Sequence, residues 1–325
     1  MRLVTKTDII EAANRIKGAT LRTPLVPAVL YPHPTADSRG PGRDLWLKPE
    51  NLQLIGAFKI RGAANVLAQL PDSARDRGVV AYSSGNHAQA VAHAAGQAGV
   101  PALIVIDDTA PQMKLAATRA LGAEVVTVPL ADRQRVAEQI ALERGATLVP
   151  PFDHPAVIAG QGTIGLEIMA DLPDADVVLV PVSGGGLASG VGVAVKALRP
   201  ETAVFGVEPE LAGDAAASLA AGHLVHWPVE ERVKTIADGL RAEPSELTFG
   251  HLTSVLDGIL TVSETEIRTA VGLLARQARL VAEPAGAVAT AAALFRADQL
   301  PSGKVVTVVS GGNIEPALLA EILTA

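Results

Sequence analysis

The sequence predicts an α/β protein of two open, mostly parallel sheets, each in its own layered domain, and three observations carry that prediction. From about residue 79 onward, short β-branched runs alternate with Ala-rich helical ones, as strands joined by crossover helices do. Several of those runs end directly in clusters of Gly, Ser and Asn, the composition of a turn that opens a helix. Hydrophobic residues make up 49% of the chain but aromatic ones only 3%, so the core must be built from Ala, Val, Leu and Ile.

The elements follow in order. Residues 79–82 are a strand running into Ser83-Ser84-Gly85-Asn86-His87, with an Ala-rich helix over about 87–98. Residues 102–106 form a second strand, backed by a helix over 111–121 in which Pro111 suits the first turn. A third strand over 124–128 and a helix with one charged face over 132–144 lead to Thr147-Leu148-Val149-Pro150, which closes this block. After the Pro150-Pro151 break come a helix over 157–171, a buried strand over 177–182, and Gly184-Gly185-Gly186 opening a helix over 187–198. A strand over 203–207, helices over 265–278 and 285–295, and a strand over 305–309 complete the pattern. Residues 1–76 and 150–325 are expected to form a large domain and 77–149 a small one. The ligand is expected in the cleft between them, at the strand C-termini.

Composition excludes several classes of function. The chain has 325 residues, a formal charge of −7 and no local Lys/Arg cluster, which argues against a nucleic-acid surface. It contains no cysteine, so disulfides, thiolate metal sites and a cysteine nucleophile are out. The N-terminus lacks the apolar run of a signal peptide and no uncharged stretch reaches spanning length, which reads as a cytoplasmic protein.

Three segments carry chemistry. In Gly56-Ala57-Phe58-Lys59-Ile60-Arg61-Gly62, one lysine stands between a tight turn and a helix read over 60–70. Packed against an aromatic ring and small residues, Lys59 loses hydration, which disfavours its ammonium form and frees an amine for Schiff-base chemistry. Ser183-Gly184-Gly185-Gly186-Leu187 joins a strand to a helix, where glycines let the backbone approach an anion and the helix N-terminus offers free N–H groups. Its glycines at 184, 186 and 190 are one residue too widely spaced for a dinucleotide fingerprint, which disfavours a dehydrogenase. Ser83-Ser84-Gly85-Asn86-His87 stands at a second such junction, suited to a carboxylate; His87 is open to reading as ligand, base or cap.

These motifs resemble the fold-type II pyridoxal-phosphate enzymes (tryptophan synthase β-like in architecture), and within them the threonine dehydratase and serine racemase group. The resemblance runs through Phe58-Lys59-Ile60-Arg61-Gly62-Ala63, Ser83-Ser84-Gly85-Asn86-His87, Ala159-Gly160-Gln161-Gly162-Thr163 and Ser183 with the glycine loop. It continues through Thr235-Ile236-Ala237-Asp238-Gly239-Leu240, Glu283-Pro284-Ala285-Gly286-Ala287 and Ser310-Gly311-Gly312-Asn313, in family order over nearly the whole chain. It implies pyridoxal 5'-phosphate as cofactor and Lys59 as its Schiff-base lysine. Gly184, Gly185, Gly186 and Leu187 would cradle the phosphate, Asn86 would meet the phenolic oxygen, Phe58 would pack near the ring and Ser310 would face the pyridine nitrogen, with Gly239 and Glu283 also at the cofactor. Ser83, Ser84, Gly85, Asn86 and His87 would bind the substrate, on a small domain that moves. A hydroxyl at 310 cannot stabilise a protonated ring nitrogen as a carboxylate would, so the cofactor is a weaker electron sink and loss of a β-substituent is favoured over transamination. The implied activity is loss of water and ammonia from L-threonine or L-serine, giving a 2-oxo acid.

The resemblance also implies a divalent-cation loop, with Glu208, Ala212 and Asp214 at the ligand positions for Mg²⁺ or a similar ion. Serine racemisation, with Ser84 protonating the opposite face of Cα, and dehydration of 3-hydroxyaspartate, with Arg133 or Arg135 at a second carboxylate, stay open on the same scaffold. Leu121 and Ala88 stand where racemases tend to carry tyrosine and glycine, which favours the dehydratase. No segment corresponds to the effector-binding domain of biosynthetic threonine deaminases, and a homodimer or homotetramer is expected. A non-catalytic binding protein is the outside reading; it predicts loss of Lys59 or of the glycine loop, and both are present.

Overall fold

The computed structural model describes residues 2–31, 44–110 and 112–324. In chain order the strands are β1 (Val26–Ala28), β2 (Leu45–Pro49), β3 (Val79–Tyr82), β4 (Ala102–Asp107), β5 (Glu124–Val128), β6 (Thr147–Leu148), β7 (Val177–Pro181), β8 (Ala203–Pro209), β9 (Gly258–Val262) and β10 (Val305–Val309). Among the described residues they form two sheets, one ordered β1-β2-β10-β7-β8-β9 and the other β5-β4-β3-β6. β1 and β2 pair antiparallel, and the other pairings are parallel. This is the two-sheet, mostly parallel α/β architecture that the alternating pattern predicts.

β7 and β10 are buried along their whole length, which is why they read as unbroken apolar runs: helices cover both faces. The small sheet keeps the shorter alternation, with β3 and β4 buried and the edge strand β5 partly exposed. Three sequence boundaries shift. Pro111 lies outside the described residues, and the helix behind it is Gln112–Ala120. The helix expected over 60–70 is Lys59–Leu67. β8 runs through Glu208 to Pro209, so Glu208 is part of the strand itself.

Helix Lys59–Leu67 lies between helices Asn86–Ala98 and Pro155–Asp171, one rooted beside each sheet. Glycine makes the close crossings possible. A Cβ at Gly160 would stand 2.6 Å from the Arg61 carbonyl oxygen, and one at Gly190 2.3 Å from that of Ile158. The Ala159-Gly160-Gln161-Gly162-Thr163 motif is therefore a helix-packing device.

A buried charge cluster fixes the same helix. The Arg61 guanidinium donates to both oxygens of Glu50 (2.7 and 2.8 Å) and both of Glu167 (2.7 and 2.8 Å). Lys48 Nζ reaches Glu167 at 2.6 Å. Arg61 and Glu50 are fully buried, so removing Arg61 strands the Glu50 carboxylate, at a cost of about 3–5 kcal/mol. Arg61 follows Lys59 by two residues, so the cluster also sets where that lysine emerges.

Candidate active site

The predicted site residues converge at the C-terminal ends of both sheets. Ser83 and Ser84 follow β3, Ser183 stands just beyond β7 and Ser310 follows β10; Asp107, which was not among them, closes β4. Lys59 enters from the turn before its helix. Gly56 there has φ +73, and a Cβ on it would lie 2.5 Å from Asn313 Oδ1. The Phe58 amide donates to the Ser310 carbonyl at 3.1 Å, tying the lysine's turn to the loop after β10.

Lys59 Nζ donates to the Pro151 carbonyl at 2.7 Å and lies 5.1 Å from the centre of the Phe58 ring. Its stem is half-buried, but enough protein surrounds the amine for desolvation to lower its pKa to about 8. A neutral carbonyl partner does not restore the ammonium as a carboxylate would. Near neutral pH roughly a tenth of such an amine is unprotonated, against almost none of an ordinary lysine.

Gly185 adopts φ +87 and caps helix Gly186–Leu198, whose first N–H groups face the turn. Phe152 explains its neighbours: a Cβ on Gly184 would meet the Phe152 ring at 2.4 Å, and one on Gly186 would meet Phe152 Cβ at 2.9 Å. Ser183 Oγ donates to the Ala242 carbonyl at 3.0 Å and accepts from the Ala242 amide at 2.9 Å, holding the loop from behind.

Opposite the lysine's turn, Asn86 Nδ2 donates to Glu283 Oε1 at 2.6 Å, and Asn313 Nδ2 donates to Asn86 Oδ1 at 2.8 Å. Burial raises the Glu283 carboxyl to about 7, and Asp238 adds to the shift against the opposing pull of Asn86 and Lys114. Gly239 packs near Ala285, and Ser310 Oγ donates weakly to the Ala285 carbonyl at 3.4 Å.

In the loop after β3, the Gly85 amide donates to Ser83 Oγ at 3.1 Å, and Arg133 Nη1 donates to Ser84 Oγ at 3.1 Å. Arg135 lies away from the site, paired with Asp132 at the surface. His87 is buried, with Nε2 2.8 Å from the Val149 carbonyl. A carbonyl only accepts, so Nε2 carries the hydrogen. Burial and Lys59 depress this imidazole to about 3, so it is neutral and offers no cation to a carboxylate.

These residues fit pyridoxal phosphate. An amine of lowered pKa suits a covalent bond to an aldehyde, and the glycine turn at a helix N-terminus suits a phosphate. The Asn86–Glu283 pair and the Ser310 hydroxyl supply polar groups for a ring between them. Sequence reasoning passed over Pro151 and Phe152, which meet the lysine and the glycine loop, because the prolines read as an inter-block break. Asp107, the counter-ion of Arg133, carried no motif at all.

The residues expected to bind a cation, Glu208, Ala212 and Asp214, lie together at the end of β8. Glu208 accepts from the Ala215 and Ala216 amides at 3.2 and 2.8 Å, and Asp214, almost fully buried, has an Oδ2 without a partner. Desolvation pushes the Glu208 carboxyl well up, with Asp214 adding to it, and desolvation raises Asp214 to about 7. Ala212 is buried on the turn between them. No helix among the described residues is long and apolar enough to cross a membrane.

Two mostly parallel sheets, a desolvated lysine at their C-terminal ends and a glycine turn suited to an anion define an enzyme that carries a phosphorylated aldehyde cofactor on a lysine. Residues 16–311 match the family described as pyridoxal-phosphate dependent enzyme, and the chain belongs to that family. It is 45% identical to L-threonine ammonia-lyase of Thermotoga maritima over 99% of this chain and 78% of that protein. It is 39% identical to L-threo-3-hydroxyaspartate ammonia-lyase of Saccharomyces cerevisiae over 100% of this chain and 98% of that protein. The structure of maize serine racemase superposes with a TM-score of 0.91 at 36% identity, covering 99% of this chain and 98% of that one.

Proposed function

We propose that this protein removes water and ammonia from β-hydroxy amino acids, L-threonine and L-serine foremost, releasing a 2-oxo acid. The observation that carries the proposal is the placement of Lys59, its Nζ held by the Pro151 carbonyl beside the Phe58 ring where burial lowers its pKa, in a chain whose relatives include two ammonia-lyases. Pyridoxal phosphate, when bound, supplies the electron sink that acidifies the substrate Cα–H. Lys59 would hold the cofactor through Nζ, and its free amine would be the base that takes the substrate Cα proton onto Nζ. Gly184, Gly185, Gly186 and Leu187 hold the phosphate through backbone N–H groups, with Phe152 closing over them. Phe58 and Gly239 flank the ring, and Asn86, braced by Glu283 and Asn313, fixes the amide that meets the cofactor oxygen. Ser83, Ser84, Gly85 and Asn86 receive the substrate carboxylate at the N-terminus of helix Asn86–Ala98.

Ser310 donates to a carbonyl and carries no negative charge to stabilise a protonated ring nitrogen, which supports elimination over transamination. Ser84 Oγ, oriented by Arg133, would be the proton carrier for the opposite face of Cα in serine racemisation, the second reading. Residues 77–149 serve as the unit that closes over substrate, and 1–76 with 150–325 as the one that holds the cofactor. Glu208, Asp214 and the Ala212 carbonyl bind a divalent cation such as Mg²⁺, which would relieve two adjacent buried carboxylates and supply the partner Asp214 Oδ2 lacks. The protein works in the cytoplasm as a homodimer or homotetramer, as the family resemblance implies. The deciding experiment is 2-oxo acid release from L-threonine and L-serine by the cofactor-loaded enzyme. Interconversion of serine enantiomers without that release would move the assignment to racemase.

A further inference from the structure

We propose that Asp107 determines substrate class: by neutralising Arg133 beside Ser84, it makes the site accept β-hydroxy amino acids with one carboxylate and disfavour those with a second. The inference rests on the elimination reading above and concerns which hydroxy amino acid that reaction takes.

Arg133 opens helix Arg133–Arg144 and extends to the mouth of the site, its side chain about a quarter exposed. Its Nη1 is shared between Ser84 Oγ at 3.1 Å and Asp107 Oδ2 at 3.2 Å. A second substrate carboxylate entering past Ser84 would seek such a guanidinium, the best bidentate partner for a planar anion. Asp107 already engages it through Nη1 and offsets its charge. The carboxylate is buried at the end of β4 and anchored through Oδ1, which accepts from Thr109 Oγ1 at 2.7 Å. Thr109, Ser84 and Arg133 together hold its pKa below the usual carboxylate value, so it stays ionised wherever the enzyme works. The pair presents no net charge to the cleft, and its fixed negative member repels an incoming dicarboxylate at short range.

The other nearby cations do not substitute. Arg135 pairs with Asp132 on the outer surface, and Lys114 pairs with Asp238 at 2.8 Å. His87 is neutral. For a hydroxy amino acid whose side chain ends in hydrogen or methyl, a neutral mouth suffices, and Ser84 is left oriented by Arg133.

The test compares kcat/KM for L-threonine, L-serine and L-threo-3-hydroxyaspartate in the cofactor-loaded wild type and in Asp107→Asn, which keeps an acceptor for Thr109 but removes the charge. The wild type should prefer threonine or serine. Asp107→Asn should raise the 3-hydroxyaspartate to threonine ratio at least tenfold, mainly through a lower KM for the dicarboxylate. Adding Arg133→Gln to that variant should bring the ratio back towards the wild-type value. An unchanged or reduced ratio in a correctly folded Asp107→Asn enzyme overturns the inference. So does a wild type that prefers 3-hydroxyaspartate, a result that needs no variant to fold. Both of those outcomes leave the elimination reading standing. Absence of 2-oxo acid from all three substrates sinks that reading, and the inference with it.

Discussion

Asn86 and Glu283 meet at 2.6 Å although 197 residues separate them, joining the small sheet's first helix to the helix that packs beneath β10. The amide of Asn86 donates, so the carboxyl oxygen facing it is an acceptor in either protonation state. The other oxygen decides the charge, and burial raises that carboxyl to about 7. Such a group brings a negative charge to the cofactor side of the cleft only when its surroundings supply compensation.

That arrangement predicts a pH-dependent stability. The folded state holds the Glu283 proton up to about pH 7, whereas the unfolded chain releases it near the ordinary value of 4.5. Between those limits the folded state binds more protons, so stability falls as pH rises, by about 3 kcal/mol in total if Glu283 titrates alone. Glu283→Gln removes the titration while keeping an acceptor for Asn86. Denaturant unfolding followed from pH 5 to 8 should show a flatter profile in the variant than in the wild type. Parallel profiles would mean that Glu283 is ionised in the native state throughout.

Lys59→Ala should lose the covalently held cofactor and lower turnover by roughly 10³-fold or more, since base and attachment point go together. Borohydride reduction of the wild-type holoenzyme should fix the cofactor to the peptide carrying Lys59, which mass spectrometry locates. Modification at another lysine would displace Lys59 from its role.

The proposed cation site at Glu208 and Asp214 predicts a ligand-linked stability. Chelation should lower the melting temperature of the wild type, and Mg²⁺ should restore it; at a hundred times Kd the linkage amounts to about 2.7 kcal/mol. Asp214→Asn, which halves the charge of the cluster, should lose the response to both treatments. A wild type indifferent to chelator leaves Glu208 and Asp214 as a purely structural pair.

How much of this was legible depended on range. The parallel core was legible because β7 and β10 are short Val-rich runs, and Lys59 and the glycine loop because each stands at a strand or turn junction next to a helix start. β2 was missed because Leu-Trp-Leu-Lys-Pro is neither β-branched nor alternating; its place between β1 and β10 is set by long-range pairing. Helices Lys6–Arg15 and Glu246–Val255 carried readable signals, capping boxes from Thr5 to Asp8 and from Ser245 to Thr248, which went unused. The partners that give the site its electrostatics were out of reach. Asp107 and Arg133 are 26 residues apart and Lys114 and Asp238 are 124 apart, so neither pair leaves a local pattern.

The Lys114–Asp238 pair carries a last prediction. Lys114 stands on helix Gln112–Ala120 behind the small sheet, and Asp238 on the turn before Gly239 beside the large one; their charges meet at 2.8 Å across the cleft. Both also act on Glu283, Asp238 raising its pKa and Lys114 lowering it. The pair is partly exposed, so its direct contribution to stability is small, on the order of 0.5 kcal/mol. Its effect on catalysis should be larger if, as proposed above, residues 77–149 close over substrate, because the pair joins that unit to the turn at Asp238. Lys114→Met should therefore raise KM for threonine about three- to tenfold with little change in melting temperature. Raising the salt concentration should narrow the gap between variant and wild type, because screening weakens the wild-type pair. A charge exchange, Lys114→Asp with Asp238→Lys, should recover part of the lost affinity. Equal KM values in wild type and Lys114→Met at low salt would show that the contact does not govern closure.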